Sequence, residues 1–268
     1  MLLEVTANTV AITTAINQFK ASYHADYSTV RAEAISYLAQ DLSAASASRL
    51  VQALTKALNN WGAGKRRAPG CQPTDAVTGA LCVHSLREQL VNLASSFEYL
   101  SLTDCTRNLK AGSPFKTVND FDVCLLETLS ELAARLLVRN TNVTYPMKAL
   151  LLITGLMPAF DSQVRGGLHV AGLSGFACNG KPRTSYLIPA HSSADARRIC
   201  VLPFYIAECT SRMSPGLVNS IENSMYPALV GQHGRLFDIL LFQQRGLTPA
   251  TALVRFSTKQ ASHPWFVV

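Results

Sequence analysis

Asn119-Asp120-Phe121-Asp122-Val123-Cys124-Leu125-Leu126-Glu127-Thr128-Leu129-Ser130-Glu131-Leu132-Ala133-Ala134-Arg135-Leu136-Leu137-Val138 is the stretch that sets the fold class. Phe121, Cys124, Leu125, Leu129, Leu132, Leu136 and Leu137 recur at steps of three and four. They therefore share one wide apolar stripe of a helix, the pattern of an element packed against a core.

Similar periods extend on both sides. Ser85-Leu86-Arg87-Glu88 reads as a capping box opening a helix through Leu100, because serine and glutamate satisfy each other's backbone donors. Further upstream, Leu50, Leu54, Leu58 and Trp61 follow a turn near Ser46. Val30, Ala34, Ile35 and Leu38 define a helix after Asp26, and Val5, Val10, Ile12, Ile16 and Phe19 one from about Val5 to Phe19. Downstream, Pro146 suits the first turn of a helix ending near Gly155, and Asp161 resembles an N-cap. Gly166 to Pro189, rich in glycine, proline and small polar residues, reads as a long loop. Helices resume after Ser193, with Pro203 kinking or splitting the run, and again at Ser214-Pro215 and Leu236 to Gln244. The tail from His263 to Val268 is expected to pack. Alternating β-branched runs are nearly absent. The expectation is an all-α, compact multi-helix globule, with strands at most short and peripheral.

The basic stretch Gly62-Ala63-Gly64-Lys65-Arg66-Arg67-Ala68-Pro69-Gly70 is the strongest composition break before the glycine loop. It leaves two organisations open. One is a single helical domain over 1–268. The other has two lobes, about 1–62 with the carboxy-terminal helices and about 74–190 around Asp161.

Apolar residues are 48% and charged residues 15%, which suits a well-buried chain and excludes a disordered one. The net charge of +7 favours a polyanionic partner, nucleic acid ahead of an anionic membrane surface. Seven cysteines, an odd number without a CxxC pair, argue against a disulfide framework and for a reducing, cytoplasmic setting. Cys82, Cys124, Cys200 and Cys209 lie in apolar runs, as core cysteines do. Met213 and Met225 read as core fillers. No basic leader or bilayer-length apolar run stands out, so no membrane association is expected.

Gly62 to Arg66 invites a phosphate-loop reading that the Walker spacing does not support, since Arg66 occupies the hydroxyl position. A surface turn with three adjacent cations, either solvated or touching nucleic acid, describes it better. The six histidines form no HxxxH, HExxH or Cys/His cluster, so neither metal nor other cofactor is expected. There is no GxSxG elbow.

Lys148 to Arg165 combines an apolar helix, a Gly/Pro turn and the run Pro158-Ala159-Phe160-Asp161-Ser162-Gln163-Val164-Arg165. This run resembles the end of the helix-hairpin-helix DNA glycosylase signature: a proline, an apolar residue, the catalytic aspartate, a hydroxyl residue, a polar residue and valine. The resemblance covers about twenty residues and maps the aspartate onto Asp161, with Ser162, Gln163 and Val164 following. It implies an all-α, basic enzyme that flips a base out of DNA and breaks its glycosidic bond. Gly155 lies six residues before Asp161, so the hairpin is shortened relative to the family. Lys148, thirteen residues before Asp161, is too close for the family's lyase lysine, which favours a one-step glycosylase.

An N-cap carboxylate meets free backbone N–H groups and the positive end of the helix dipole, and both favour its ionised form. Such a charge can stabilise the cation that develops on the sugar. The plainer reading is a structural cap. Arg165 could pair with Asp161 or reach a phosphate. Within the loop, Phe176 and Tyr186 offer stacking faces and Lys181 and Arg183 offer phosphate contacts, unless the loop is only a connection. Together these give a monomeric enzyme on double-stranded DNA. In that expectation Asp161 is the catalytic carboxylate, Ser162, Gln163, Phe176 and Tyr186 would form the base pocket, and Lys65, Arg66, Arg67, Lys181, Arg183 and Arg165 would hold the backbone. Extended from the family, the base would exceed uracil in size, for example a hypermodified cytosine excised from phage DNA in antiviral defence. The alternatives are a non-enzymatic helical protein binding nucleic acid or another partner, and a nuclease-like effector.

Overall fold

The computed structural model describes residues 2–140, 142–173, 184 and 194–257. Eleven α-helices are described: α1 Thr9–Gln18, α2 Ala21–Ala39, α3 Ala44–Asn60, α4 Thr74–Leu81, α5 His84–Ser96, α6 Val118–Leu136, α7 Thr144–Thr154, α8 Ser162–Val170, α9 Ala194–Ser211, α10 Pro215–Glu222 and α11 His233–Gln243. Two antiparallel pairs supply the strands: β1 Leu3–Val5 with β4 Val254–Phe256, and β2 Leu100–Thr103 with β3 Thr106–Leu109. The expected predominance of helix holds. Leu3 faces Phe256 in the first pair, so the amino-terminal strand is tied to the end of the described chain. The second pair turns through Asp104 and Cys105, both at positive φ, as a two-residue hairpin turn requires.

Two helices form the centre. Every residue of α7 from Tyr145 to Thr154 is buried, and α2, α3, α5 and α6 surround it. A helix apolar on all sides can satisfy itself only in an interior. Gly234 to Leu241 of α11 are likewise buried, against α1, α8 and α9. The two meet at glycine. A Cβ on Gly234 would stand 2.2 Å from the carbonyl oxygen of Gly155, the left-handed C-cap of α7. The stripe of α6 is buried except at Cys124, which is half-buried, and a Thr117–Asp120 capping box starts that helix. No described helix is long and apolar enough to cross a membrane.

Several local expectations need correction. Val5 belongs to β1, α1 begins after the Asn8 cap, and Val10 is 73% exposed. The second helix starts at Ala21, before Asp26, and Ile35 faces solvent. Ser85 does not cap: Val83 holds the N-cap position without a side-chain cap bond, Ser85 lies inside the first turn of α5, and Leu100 is in β2. Pro203 does not split α9, which runs on through it, with the neighbouring Leu202, Phe204, Tyr205 and Ile206 fully buried. Met225 is 70% exposed in a turn after α10, its N–H held by the Asn17 side chain. The long loop starts later than Gly166, because α8 continues to Val170; residues 174–183 and 185–193 of it, like the tail 258–268, lie outside the described residues.

Candidate active site

Asp161 sits where the connection from α7 enters α8. One carboxylate oxygen, Oδ1, accepts from the N–H groups of Gln163 at 2.9 Å and Val164 at 3.0 Å. It is therefore the N-cap that the sequence suggests. The glycine-bearing connection is a bare turn, with no second helix between Gly155 and Ser162.

The other oxygen, Oδ2, faces Lys148, whose Nζ is 3.7 Å away. Lys148 rises from the middle of α7, is buried, donates to the carbonyl of Trp61 at 2.9 Å and lies 4.8 Å from the centre of the Tyr145 ring. Burial pulls its ammonium below the ordinary lysine range, against the opposing pull of Asp161 and then Asp238. The same carboxylate acts on two phenols. Tyr23 and Tyr145 are raised first by burial and then by Asp161.

Beneath the pair lies a second one. Arg235 on α11 is almost fully buried and donates to Asp238 Oδ2 at 2.7 Å and to the Tyr23 carbonyl at 2.9 Å. Its guanidinium carbon lies 4.9 Å from the Phe19 ring centre and 5.0 Å from those of Tyr27 and Trp61. Asp238 Oδ1 accepts from Ala159 N at 3.0 Å, fixing the backbone two residues before Asp161. Burial raises the Asp238 carboxyl to about 6, although Arg235 opposes it.

These groups line one cavity of about 610 Å³. Its walls include Phe19, Tyr23, Trp61, Tyr145 and Phe242, with Lys148, Asp161, Arg235 and Asp238 at the charged end. Lys65, Arg66 and Arg67 line it as well, so the basic turn and Asp161, more than ninety residues apart, share a wall. Gly64 N donates to Pro69 O at 2.9 Å and closes the turn.

Ser162 and Gln163 also line the cavity, Ser162 exposed and Gln163 half-buried. Arg165 is buried, and its Nε meets the Asp161 backbone carbonyl at 3.4 Å. Phe176, Lys181, Arg183 and Tyr186 lie outside the described residues. Lys148, Tyr23, Tyr145, Arg235 and Asp238 were not among the expected site residues. Lys148, thirteen residues before Asp161, nevertheless shares the site, because α7 and the return through residues 155–160 bring both side chains to one point. A signal was present, since a lysine inside the apolar run Tyr145–Thr154 must find a partner or a task. Among the described residues, no group of three or more His, Cys, Asp or Glu side chains could hold a metal ion.

A half-buried carboxylate beside a buried amine, an aromatic-walled recess and a cationic rim can together take up an anionic ligand with a planar ring and act on a bond beside the carboxylate. In comparisons with protein-family models, curated proteins and solved structures, nothing matches this chain.

Proposed function

We propose that the protein is a DNA glycosylase that excises a modified base from double-stranded DNA. One observation carries the reading: Asp161, the Lys148 amine and the Lys65–Arg67 turn line a single aromatic-walled cavity. In the proposed reaction a flipped nucleotide enters that cavity. The bond between C1′ and the base nitrogen breaks and its electron pair leaves with the base. The Asp161 carboxylate, held by two backbone N–H groups, faces the positive charge left on the sugar. Water adds its oxygen to C1′, and the released proton neutralises the departing nitrogen. Lys148 lines the same cavity 3.7 Å from Asp161 and is the second candidate nucleophile, because burial favours its neutral form. The volume of about 610 Å³ falls within the range of sites for drug-sized ligands and supports a base enlarged by substitution, such as a hypermodified cytosine.

The test is incubation with DNA duplexes carrying different modified bases, followed by detection of free base and abasic sites. Borohydride in a parallel reaction traps an adduct only if Lys148 attacks. Absence of released base from every substrate, with binding intact, would replace this reading by the non-enzymatic one.

A further inference from the structure

The Walker comparison rejects the basic turn on spacing, but its backbone has a geometry that the spacing does not reveal. Gly62, Gly64 and Arg66 have φ of 103°, 71° and 55°, while Ala63 and Lys65 between them are not at positive φ. Alternation of hand along successive residues turns neighbouring N–H groups toward one side, producing the concave nests that hold anions. Arg66 is the informative member. It carries a side chain in a conformation that glycine would adopt freely and arginine rarely does.

The donors are also available. The N–H groups of Ala63, Gly64, Lys65 and Ala68 bond within the turn or to α3, whereas those of Arg66 and Arg67 meet no acceptor among the described residues. Lys65, Arg66 and Arg67 are exposed, and none pairs with an acidic side chain among the described residues. The Tyr145 hydroxyl lies against the base of the turn, 3.1 Å from where a Cβ on Gly62 would stand. The turn is therefore closed and pre-formed, with two free donors and three cations on the rim of the cavity that holds Asp161.

We propose that this turn is a phosphate-binding site in which the Arg66 and Arg67 N–H groups and the flanking cations hold the phosphate of the nucleotide entering the cavity. The inference rests on the reading above for the nucleotide, yet its chemistry is separate, because it concerns binding alone. The phosphate could be a phosphodiester within a strand or the terminal group of a free nucleotide, and the test separates the two.

The full-length wild type, Arg66→Gly and Arg66→Val would be titrated with a short labelled DNA duplex, thymidine 5′-monophosphate and thymidine, with melting temperatures recorded. Both variants remove the same charge. Glycine keeps the left-handed residue and should weaken phosphate binding by no more than about five-fold, as loss of one exposed charge does. Valine opposes that conformation and should lose at least a further ten-fold or so, the scale of hydrogen bonds to a charged group. Binding of the duplex alone assigns a phosphodiester; binding of the monophosphate well above thymidine assigns a free nucleotide as well. Equal losses in the two variants, or no loss in either, overturn the proposal. Should Arg66→Val fail to fold, the wild type with duplexes carrying one neutral methylphosphonate at successive positions still decides. A single position that weakens binding supports an in-strand site. A flat profile with no preference for the monophosphate over thymidine overturns the proposal. Intact phosphate dependence without base release would remove only the glycosylase reading.

Discussion

The Nζ of Lys148 stands 3.7 Å from Oδ2 of Asp161, and the two residues belong to different helices joined by the turn at Gly155. Three features make this contact unusual for a simple cap. The amine is buried, it has a second acceptor in the Trp61 carbonyl, and it faces an open cavity. A carboxylate needed only to cap α8 has no use for a desolvated lysine, whose burial costs stability.

Asp161→Asn separates the two roles. Asparagine offers the same oxygen to the N–H groups of Gln163 and Val164, so the cap survives. Lys148 keeps its bond to Trp61 and can release its proton, so folding stability should change by about 1 kcal/mol or less. Base release should fall at least ~100-fold, the scale of losing a preorganised electrostatic group. Full activity in a folded variant would remove Asp161 from the chemistry.

Lys148→Met tests the amine. Activity should fall by at least ~100-fold. The pH behaviour of stability gives an independent check. The folded value of Lys148 is below its ordinary 10.5, so between the two values the unfolded chain holds more protons. Stability of the wild type must then rise with pH across that window. Lys148→Met lacks this contribution, so the difference in melting temperature should move in favour of the wild type as pH rises toward 10.5. A constant difference would mean that the lysine is not desolvated.

The sequence makes the helices legible where one face is apolar and the other is not, as in α6 and α3. It is least informative where an element is buried all round. Lys148, Arg235 and Asp238 sit in apolar runs that periodicity treats as uniform, although each charge there marks a place where two elements and a cavity meet. Asp161 was legible because a cap is a local device. Its partner was not, because sequence distance cannot reveal how a left-handed glycine returns the chain. The glycines of α8 mislead for a related reason. Composition reads Gly166 and Gly167 as loop, whereas Gly167 permits the backbone of α11 to approach.

Gly167→Ala should show how tightly that approach is set. The added Cβ would stand 1.9 Å from the Leu241 carbonyl oxygen, so α8 and α11 must move apart. Overpacking of this kind should cost about 3 kcal/mol and displace Asp161, lowering activity as well. Gly79→Ala on the exposed side of α4, where nothing lies within 4 Å, is the control and should gain up to about 1 kcal/mol. Equal melting temperatures for both variants would contradict the packing described.

His24, close to Arg235 beneath the cavity, should limit stability in acid. Burial first, and the Arg235 cation second, lower its imidazole to about 4, against the Ile16 carbonyl that favours protonation. Its ring stacks on Tyr226 with centroids 3.5 Å apart. Between its ordinary 6.5 and about 4 the unfolded chain binds the extra proton, so stability falls as pH drops through that range. The loss should be on the order of 2 to 3 kcal/mol. His24→Phe keeps a ring for the stack and should lack this part of the acid dependence. Parallel melting curves for both proteins from pH 7 to pH 4 would show that His24 stays neutral in both states or titrates normally in the fold.

Salt dependence distinguishes a rim that touches phosphates from one that is merely solvated. Lys65, Arg66 and Arg67 project from a closed turn, line the cavity and lack acidic partners among the described residues, so their charges are available to a polyanion. Each phosphate neutralised releases condensed counterions, which sets the slope of log affinity against log salt at about 0.9 per contact on duplex DNA. Replacing all three with glutamine should therefore flatten the slope by about two to three while leaving melting temperature nearly unchanged, because exposed charges contribute little to folding. Lys116→Gln serves as the comparison. That residue is exposed, carries the same charge and does not line the cavity, so its loss should leave the slope within about 0.5 of wild type. Arg165 should behave differently again. It is buried against the Asp161 carbonyl, so its replacement should disturb the site more than the slope. An unchanged slope in the triple variant would place the nucleic-acid surface away from this cavity, and a slope equally flattened by Lys116→Gln would reduce the effect to net charge.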